Sequence, residues 1–342
     1  MAFRGMEIKL SPLTPVHVWS GDVLVVGYDI VVKDGDACIV DVNQLPTEVI
    51  EKVADDLAPL DRYADKVKCS RVLKLRSDLS SKLVYDISPW YVPASTLKGY
   101  IRTALLYKWL GERQDAMRLI EQAVKQDRRP IGSLLEDRLM RMRSPRVDVM
   151  QSLRIWETKA KAETAIVDIH VKRLPSLSSV AKVSAVALVG GELRYGIELT
   201  PFRPKVRGQT EELANAIKLL EKLPHLGVDH IREALRQFGC RLLENEIEQA
   251  KRHKKLAPYV EALEKWRSKY CKADEACVIA RMGRMTGIYS KTVISIIREK
   301  MPDVYEMLLE KHFHKRHDFN TLKLVEIDGR QLGVGWCEIC LT

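Results

Sequence analysis

Apolar and polar positions change rhythm several times along this chain. The opening MEIKLSPLTPVHVWSG alternates and then breaks at proline and glycine, which predicts a first strand running into a punctuated loop. VLVVGYDIVVKDGDACIVDV predicts two extended runs folded about Asp34-Gly35, a residue pair that two-residue hairpin turns favour. In YVPASTLKGYIRTALLYKWLG a proline and a Ser/Thr pair precede an apolar stripe. Leu97, Ile101 and Leu105 recur at helical spacing, so a helix capped by Ser95 and stopped by Gly111 is expected.

Farther along, TAIVDIHVKRL and VAKVSAVALVGGELRYGIELTPFRP are alternating and β-branched, with Gly190-Gly191 expected to turn the chain between strands. From about residue 209 to 270 the period becomes helical, in TEELANAIKLLEKL, HIREALRQFGCRLLENEIEQAKRHKK and YVEALEKWRSKY. ACVIARMGRMTGIYSKTVISIIREKM predicts a strand, a glycine-bearing loop and a helix. The end predicts a hairpin about Asp328-Gly329 and a closing strand. Strand-helix-strand units without a regular β-α-β alternation point to an α+β fold. A ferredoxin-like β-α-β core used twice fits that rhythm, with residues 1–200 as one portion and 201–342, including the helical stretch, as the other.

Composition agrees with a globular protein: 342 residues, 46% apolar and 30% charged. Fifty-six Lys and Arg against 46 Asp and Glu leave a net charge of +10, which permits a polyanionic partner without requiring one. The first residues lack the apolar core of a leader, and no run approaches the ~20 apolar residues that span a bilayer, so a cytoplasmic location and no membrane partner are expected. Seven scattered cysteines argue against a disulfide framework and for a reducing compartment. Cys337 and Cys340 form a C-x-x-C, but in a strand they point to opposite faces, and no second pair accompanies them. No metal and no cofactor are expected.

The helix start draws attention because Lys98 stands where a capping box wants Glu or Gln, facing the positive end of the helix dipole. Arg102 adds a second cation on the same side, and Gly99 between them lets a backbone approach. Either an anion docks there, held with Ser95 and Thr96, or the two long side chains reach into water above an apolar stripe. RMGRMTGIYSKTV sets Arg281, Arg284 and Lys291 about Gly283 and Gly287, with Thr286 as a hydroxyl donor. Exposed amides and cations of this kind cradle phosphate, while the plain alternative is a strand-to-helix connection with a solvated basic rim. It matches neither the P-loop nor the dinucleotide fingerprint, which disfavours ATP and NAD chemistry. Arg138, Arg141, Arg143 and Arg146 either follow a sugar-phosphate backbone, contact a partner protein, or form a charged surface. His312, His314 and His317 offer acid-base candidates for a ribonuclease, or a solvated basic loop. Asp22 and Asp29 lack a paired carboxylate that metal catalysis would use.

LSPLTPVHVWSG, YVPASTLKGYIRTALL, ARMGRMTGIYSKTV and QLGVGWCEICL, in this order, resemble the RAMP superfamily of CRISPR-associated proteins. Within it the chain looks most like the Csm-type subunit that caps the type III effector backbone near the 3′ end of the guide RNA. The resemblance implies a non-catalytic crRNA-binding role in antiviral defence. It also implies a hetero-oligomer with neighbouring type III backbone subunits, and a host nuclease that trims the crRNA 3′ end as a further partner. It places RNA at Ser95, Thr96, Lys98, Gly99 and Arg102, and at Gly283, Arg284, Thr286 and Gly287. Two departures stand out: Trp19 replaces a glycine common in the family's first loop, and Glu157 stands where relatives carry an aspartate. His17 is expected to pack or hydrogen-bond within that first loop. The guide-processing endoribonuclease of the same superfamily and a purely structural adaptor are the alternative readings.

Overall fold

Two strands of 21 and 22 residues, Leu153–Arg173 and Ser178–Leu199, set the frame of the computed structural model. It describes residues 3–342 except 57, 80, 88–90, 127–130, 142–147, 175, 201–225, 274, 315–320 and 328. In chain order the strands are β1 (Phe3–Pro12), β2 (Trp19–Val25), β3 (Ile30–Lys33), β4 (Asp36–Val40), β5 (Cys69–Leu75) and β6 (Leu83–Ile87), then β7 (Leu153–Arg173), β8 (Ser178–Leu199), β9 (Cys277–Arg281), β10 (Thr321–Ile327), β11 (Arg330–Gly333) and β12 (Trp336–Leu341). The helices are α1 (Thr47–Asp56), α2 (Ala94–Glu112), α3 (Gln114–Lys125), α4 (Ile131–Leu139), α5 (Val228–Ala250), α6 (Ala257–Tyr270), α7 (Ile294–Lys300) and α8 (Pro302–Phe313). The helix expected over 210–223 and the residue Asp328 lie outside the described residues.

The fold is α+β, built on one mixed sheet with the strand path β3-β4-β5-β7-β8-β1-β12-β9. The β10–β11 hairpin pairs with β7, while β6 joins β8 and carries β2. β5 runs parallel to β7 and β6 parallel to β8; the other ladders are antiparallel. The final strand lies between β1 and β9, so strands from both sides of residue 200 are direct neighbours. The boundary expected there falls next to 201–225, outside the described residues.

Local chemistry explains the turns. Asp34 and Gly35 both take positive φ, 52° and 82°, and close the β3–β4 hairpin as their sequence requires. Gly190 and Gly191 do not turn the chain; they stand inside β8, where the ladder to β7 shifts register beside Glu163 and Thr164. At Gly191, with φ of 86°, a Cβ would lie 1.9 Å from the Lys161 carbonyl oxygen. A glycine pair marks a bulge as readily as a hairpin, and only the partner strand decides which.

The middle of β8 is buried on both sides. Val186 and Leu188 join a large core with Ile8, Leu10, Ile166 and the inward residues of α2, α5 and α6. Ala185 and Ala187 face the opposite way, toward Val167, Ile169, Val325 and Val334, where small side chains let the β10–β11 layer approach.

The cysteines reverse the expectation from their spacing. Cys38–Cys69, Cys240–Cys271 and Cys277–Cys340 are disulfides, and Cys337 is a buried thiol whose pKa burial pushes up. Residues scattered along the chain become neighbours when β4 pairs with β5, α5 packs on α6, and β9 pairs with β12. Cys337 and Cys340 do point apart, as a strand dictates.

Candidate nucleic-acid interface

At the start of α2, Pro93, not Ser95, is the N-cap residue, and its side chain makes no capping hydrogen bond. The Ala94 N–H donates to Glu157 Oε1 on β7 at 2.7 Å. The negative charge that the helix start attracts is therefore supplied by the chain itself. Ser95 and Gly99 are exposed and Thr96 half-buried, and the Thr103 hydroxyl donates to the Gly99 carbonyl at 3.1 Å.

Both cations expected at an RNA contact have partners within the protein. Lys98 Nζ donates to the Leu153 carbonyl at 2.6 Å, and burial lowers its pKa. Arg102 meets Asp148 at 2.7 Å and Glu136 at 3.3 Å. Arg141 shares the same two acids, at 3.2 Å and 3.0 Å. Burial pushes the Asp148 carboxyl up, but the Arg102 hydrogen bond and the Met150 N–H outweigh it and leave its pKa below the ordinary value. This cluster ties α2 to α4 and to the approach to β7. Arg138 lies on α4, while Arg143 and Arg146 are outside the described residues.

The glycine-bearing loop between β9 and α7 divides its residues between core and surface. Arg281 is buried: Nη1 donates to Glu246 Oε2 at 2.6 Å, Nε donates to the Val334 carbonyl at 3.0 Å, and the guanidinium lies 5.0 Å from the Trp336 ring centre. Its expected RNA contact is thus corrected, because a side chain enclosed in this way has no face left for a phosphate. Gly283 has φ of 100°, and a Cβ there would lie 2.5 Å from the His17 carbonyl oxygen. That same oxygen accepts the Arg284 N–H at 2.6 Å, so Gly283 serves the contact between two loops. Thr286 is buried, its hydroxyl donating to the Gly283 carbonyl at 2.9 Å and accepting from Ser290 at 2.7 Å. Gly287 has φ of 91° and open space beside it, with Lys323 Nζ 3.9 Å from the position of a Cβ.

His17 plays the packing part expected of it. Its Nδ1 lies 2.8 Å from the Val186 carbonyl, and burial, assisted by Arg284, pushes its pKa down to about 4. The histidines farther along separate: His312 lines an apolar cavity of about 350 Å³ between α2, α4, α7 and α8, and His314 closes α8 with φ of 51°. His317 is outside the described residues. Among the described residues one Cys/acid group converges, Cys277, Glu338 and Cys340, but its two sulfurs share a disulfide. Asp29 accepts the Val25 N–H at 2.8 Å within its own turn.

Aromatic side chains beside the loop escape a reading by sequence distance. The Arg284 guanidinium carbon lies 4.1 Å from the Trp19 ring centre and 4.3 Å from that of Tyr85. The two rings meet edge to face at 5.8 Å. Pairing of β2 with β6 brings Trp19 opposite Ile87, two residues from Tyr85. Trp19 is 42% exposed, and its indole N–H donates to the Asp22 carbonyl at 2.8 Å. Lys291 reaches solvent nearby, its pKa lowered by burial of part of its stem and then by Arg284. Neither Arg284 nor Lys291 makes an ion pair among the described residues. The sequence signal was Trp19 itself, a large aromatic residue in the HVWSG stretch of the first loop.

No family model matches the sequence, and no curated protein matches it. Solved structures do match in fold. A chain of a Csm-crRNA-target RNA ternary complex from a type III-A CRISPR-Cas system superposes with a TM-score of 0.71 at 18% identity, covering 99% of this chain and 100% of that one. T. onnurineus Csm5 superposes with a TM-score of 0.62 at 17% identity, covering 96% and 99%. The chain therefore has the fold of Csm subunits over nearly its whole length. Among the described residues no helix is long and apolar enough to cross a membrane.

Proposed function

We propose that this chain, folded as Csm subunits are, is a non-catalytic crRNA-binding subunit capping the backbone of a type III effector ribonucleoprotein near the crRNA 3′ end. The observation that carries this reading is the end-to-end match to a chain from a Csm-crRNA-target RNA complex. A match to one shared domain would carry much less, since a fold alone hosts many functions. The net charge of +10 suits an RNA partner. The proposed RNA contact is the rim formed by Arg284, Lys291 and Trp19, joined by the exposed Ser95 and Gly99 at the α2 start. Lys98, Arg102 and Arg281 belong to the scaffold behind it. Neighbouring backbone subunits are the proposed protein partners, and the complex works in the cytoplasm.

The test is isolation of the tagged chain from its native cells with identification of co-purifying RNA and protein. Repeat-spacer RNA together with type III backbone subunits is the expected result, with the protected RNA terminus on the 3′ side. Recovery of the chain with neither would reject the reading. Purified complex incubated with guide RNA, with and without divalent metal, is expected to leave that RNA intact through this subunit.

A further inference from the structure

We infer that the outward face of Trp19 is a stacking site for a nucleobase of single-stranded RNA, with Arg284 as the fixed cationic layer beneath it. This deepens the RNA-binding reading and rests on it. The indole is held on three sides. Its N–H is fixed to the Asp22 carbonyl at 2.8 Å, its backbone lies in the β2–β6 ladder, and Arg284 lies 4.1 Å from its ring centre. A ring so fixed gives up little further freedom when a base stacks on it, and every base offers it a π-face.

The charge around the ring points to a nucleic acid. Arg102, Arg141 and Arg281 are matched by carboxylates, but Arg284 and Lys291 have no ion-pair partner among the described residues. The Arg284 Nη1 atom is buried without a hydrogen-bond partner. The two rings attract the guanidinium but leave its charge without a counter-ion, which a nearby phosphate supplies. A strand that lays a base on Trp19 brings its phosphates toward Arg284 and Lys291. An uncharged protein side chain stacked on Trp19 leaves both cations unmatched.

The experiment uses the assembled complex, and the full-length chain, with a crRNA-length single strand carrying 2-aminopurine at successive positions. Trp19→Leu is expected to weaken RNA binding about 5- to 150-fold, the range for loss of one base-aromatic stack. It should also abolish quenching of one labelled base, while Trp19→Phe retains most of both. The salt slope should stay unchanged in Trp19→Leu and fall by about 0.7 in Lys291→Ala, which removes one phosphate contact. Ultraviolet cross-linking of the native complex provides a second measurement and is expected to join RNA to Trp19. Equal affinity and equal quenching in wild type and Trp19→Leu overturn the inference and leave the RNA-binding reading standing. Loss of a neighbouring subunit from Trp19→Leu complexes with RNA binding intact assigns the ring to a protein partner and also overturns it. Absence of RNA binding by the wild-type complex overturns the reading beneath.

Discussion

Arg281 and Arg284 stand three positions apart and serve different ends. Both are basic residues within two positions of Gly283, so composition cannot separate them; burial does. Arg281 meets Glu246 at 2.6 Å with both side chains only 7% exposed. Removing one member leaves an unpaired charge in the core, so Glu246→Ala is expected to cost about 3–5 kcal/mol in urea unfolding. A cost near zero would mean that water reaches the pair. His17 gives a second expectation. Its folded pKa of about 4 lies below the ordinary 6.5, so between these values the unfolded chain binds a proton that the folded chain does not. Stability therefore falls as pH drops through that window, by on the order of 3 kcal/mol over its full width. His17→Gln should flatten this part of the pH-stability curve; an unchanged slope would assign the acid sensitivity to other groups. That His17 packs and hydrogen-bonds was legible from its place in a first loop. Its partner Val186 lies 169 residues away and was not.

At the scale of the element, α2 was legible as a helix and illegible in its capping. The apolar stripe fixes the helix, and the misplaced Lys98 correctly marks a start that needs negative charge. What meets that need is Glu157, 63 residues on, because β7 runs past the helix end. No local rule reaches across that distance. The same carboxylate explains how the helix begins without a capping side chain. Glu157→Ala is expected to destabilise the protein by about 1–2 kcal/mol, the usual loss for a charge-assisted bond to a helix start. Faster hydrogen exchange confined to the first turn of α2 would accompany it. If exchange there is unchanged, another group closes the turn. Gly190-Gly191 teaches the converse lesson. The pair was read as a turn between strands, but β7 continues opposite it, so it forms a bulge within a long strand instead.

For the whole molecule, the order of elements was largely visible, whereas the pairing of distant strands was not. β1 and β12, from opposite ends of the chain, are neighbours, and β9 lies beyond them. That closure is also why the cysteines misled: their separations of 31, 31 and 63 residues carry no sign of contact until the sheet and helices assemble. Each cross-link restricts the unfolded chain, and loops of these lengths correspond to about 4 kcal/mol apiece in the chain-entropy description. Thiol titration of protein purified under non-reducing conditions and then denatured should find one thiol, Cys337, and seven after reduction. Reduction should also move the denaturant midpoint far downward, because three closed loops are released together. Seven thiols without reductant would mean that the loops are open in the purified protein. Its stability would then rest on the sheet and the buried Arg281–Glu246 pair, and reductant would leave the midpoint where it was.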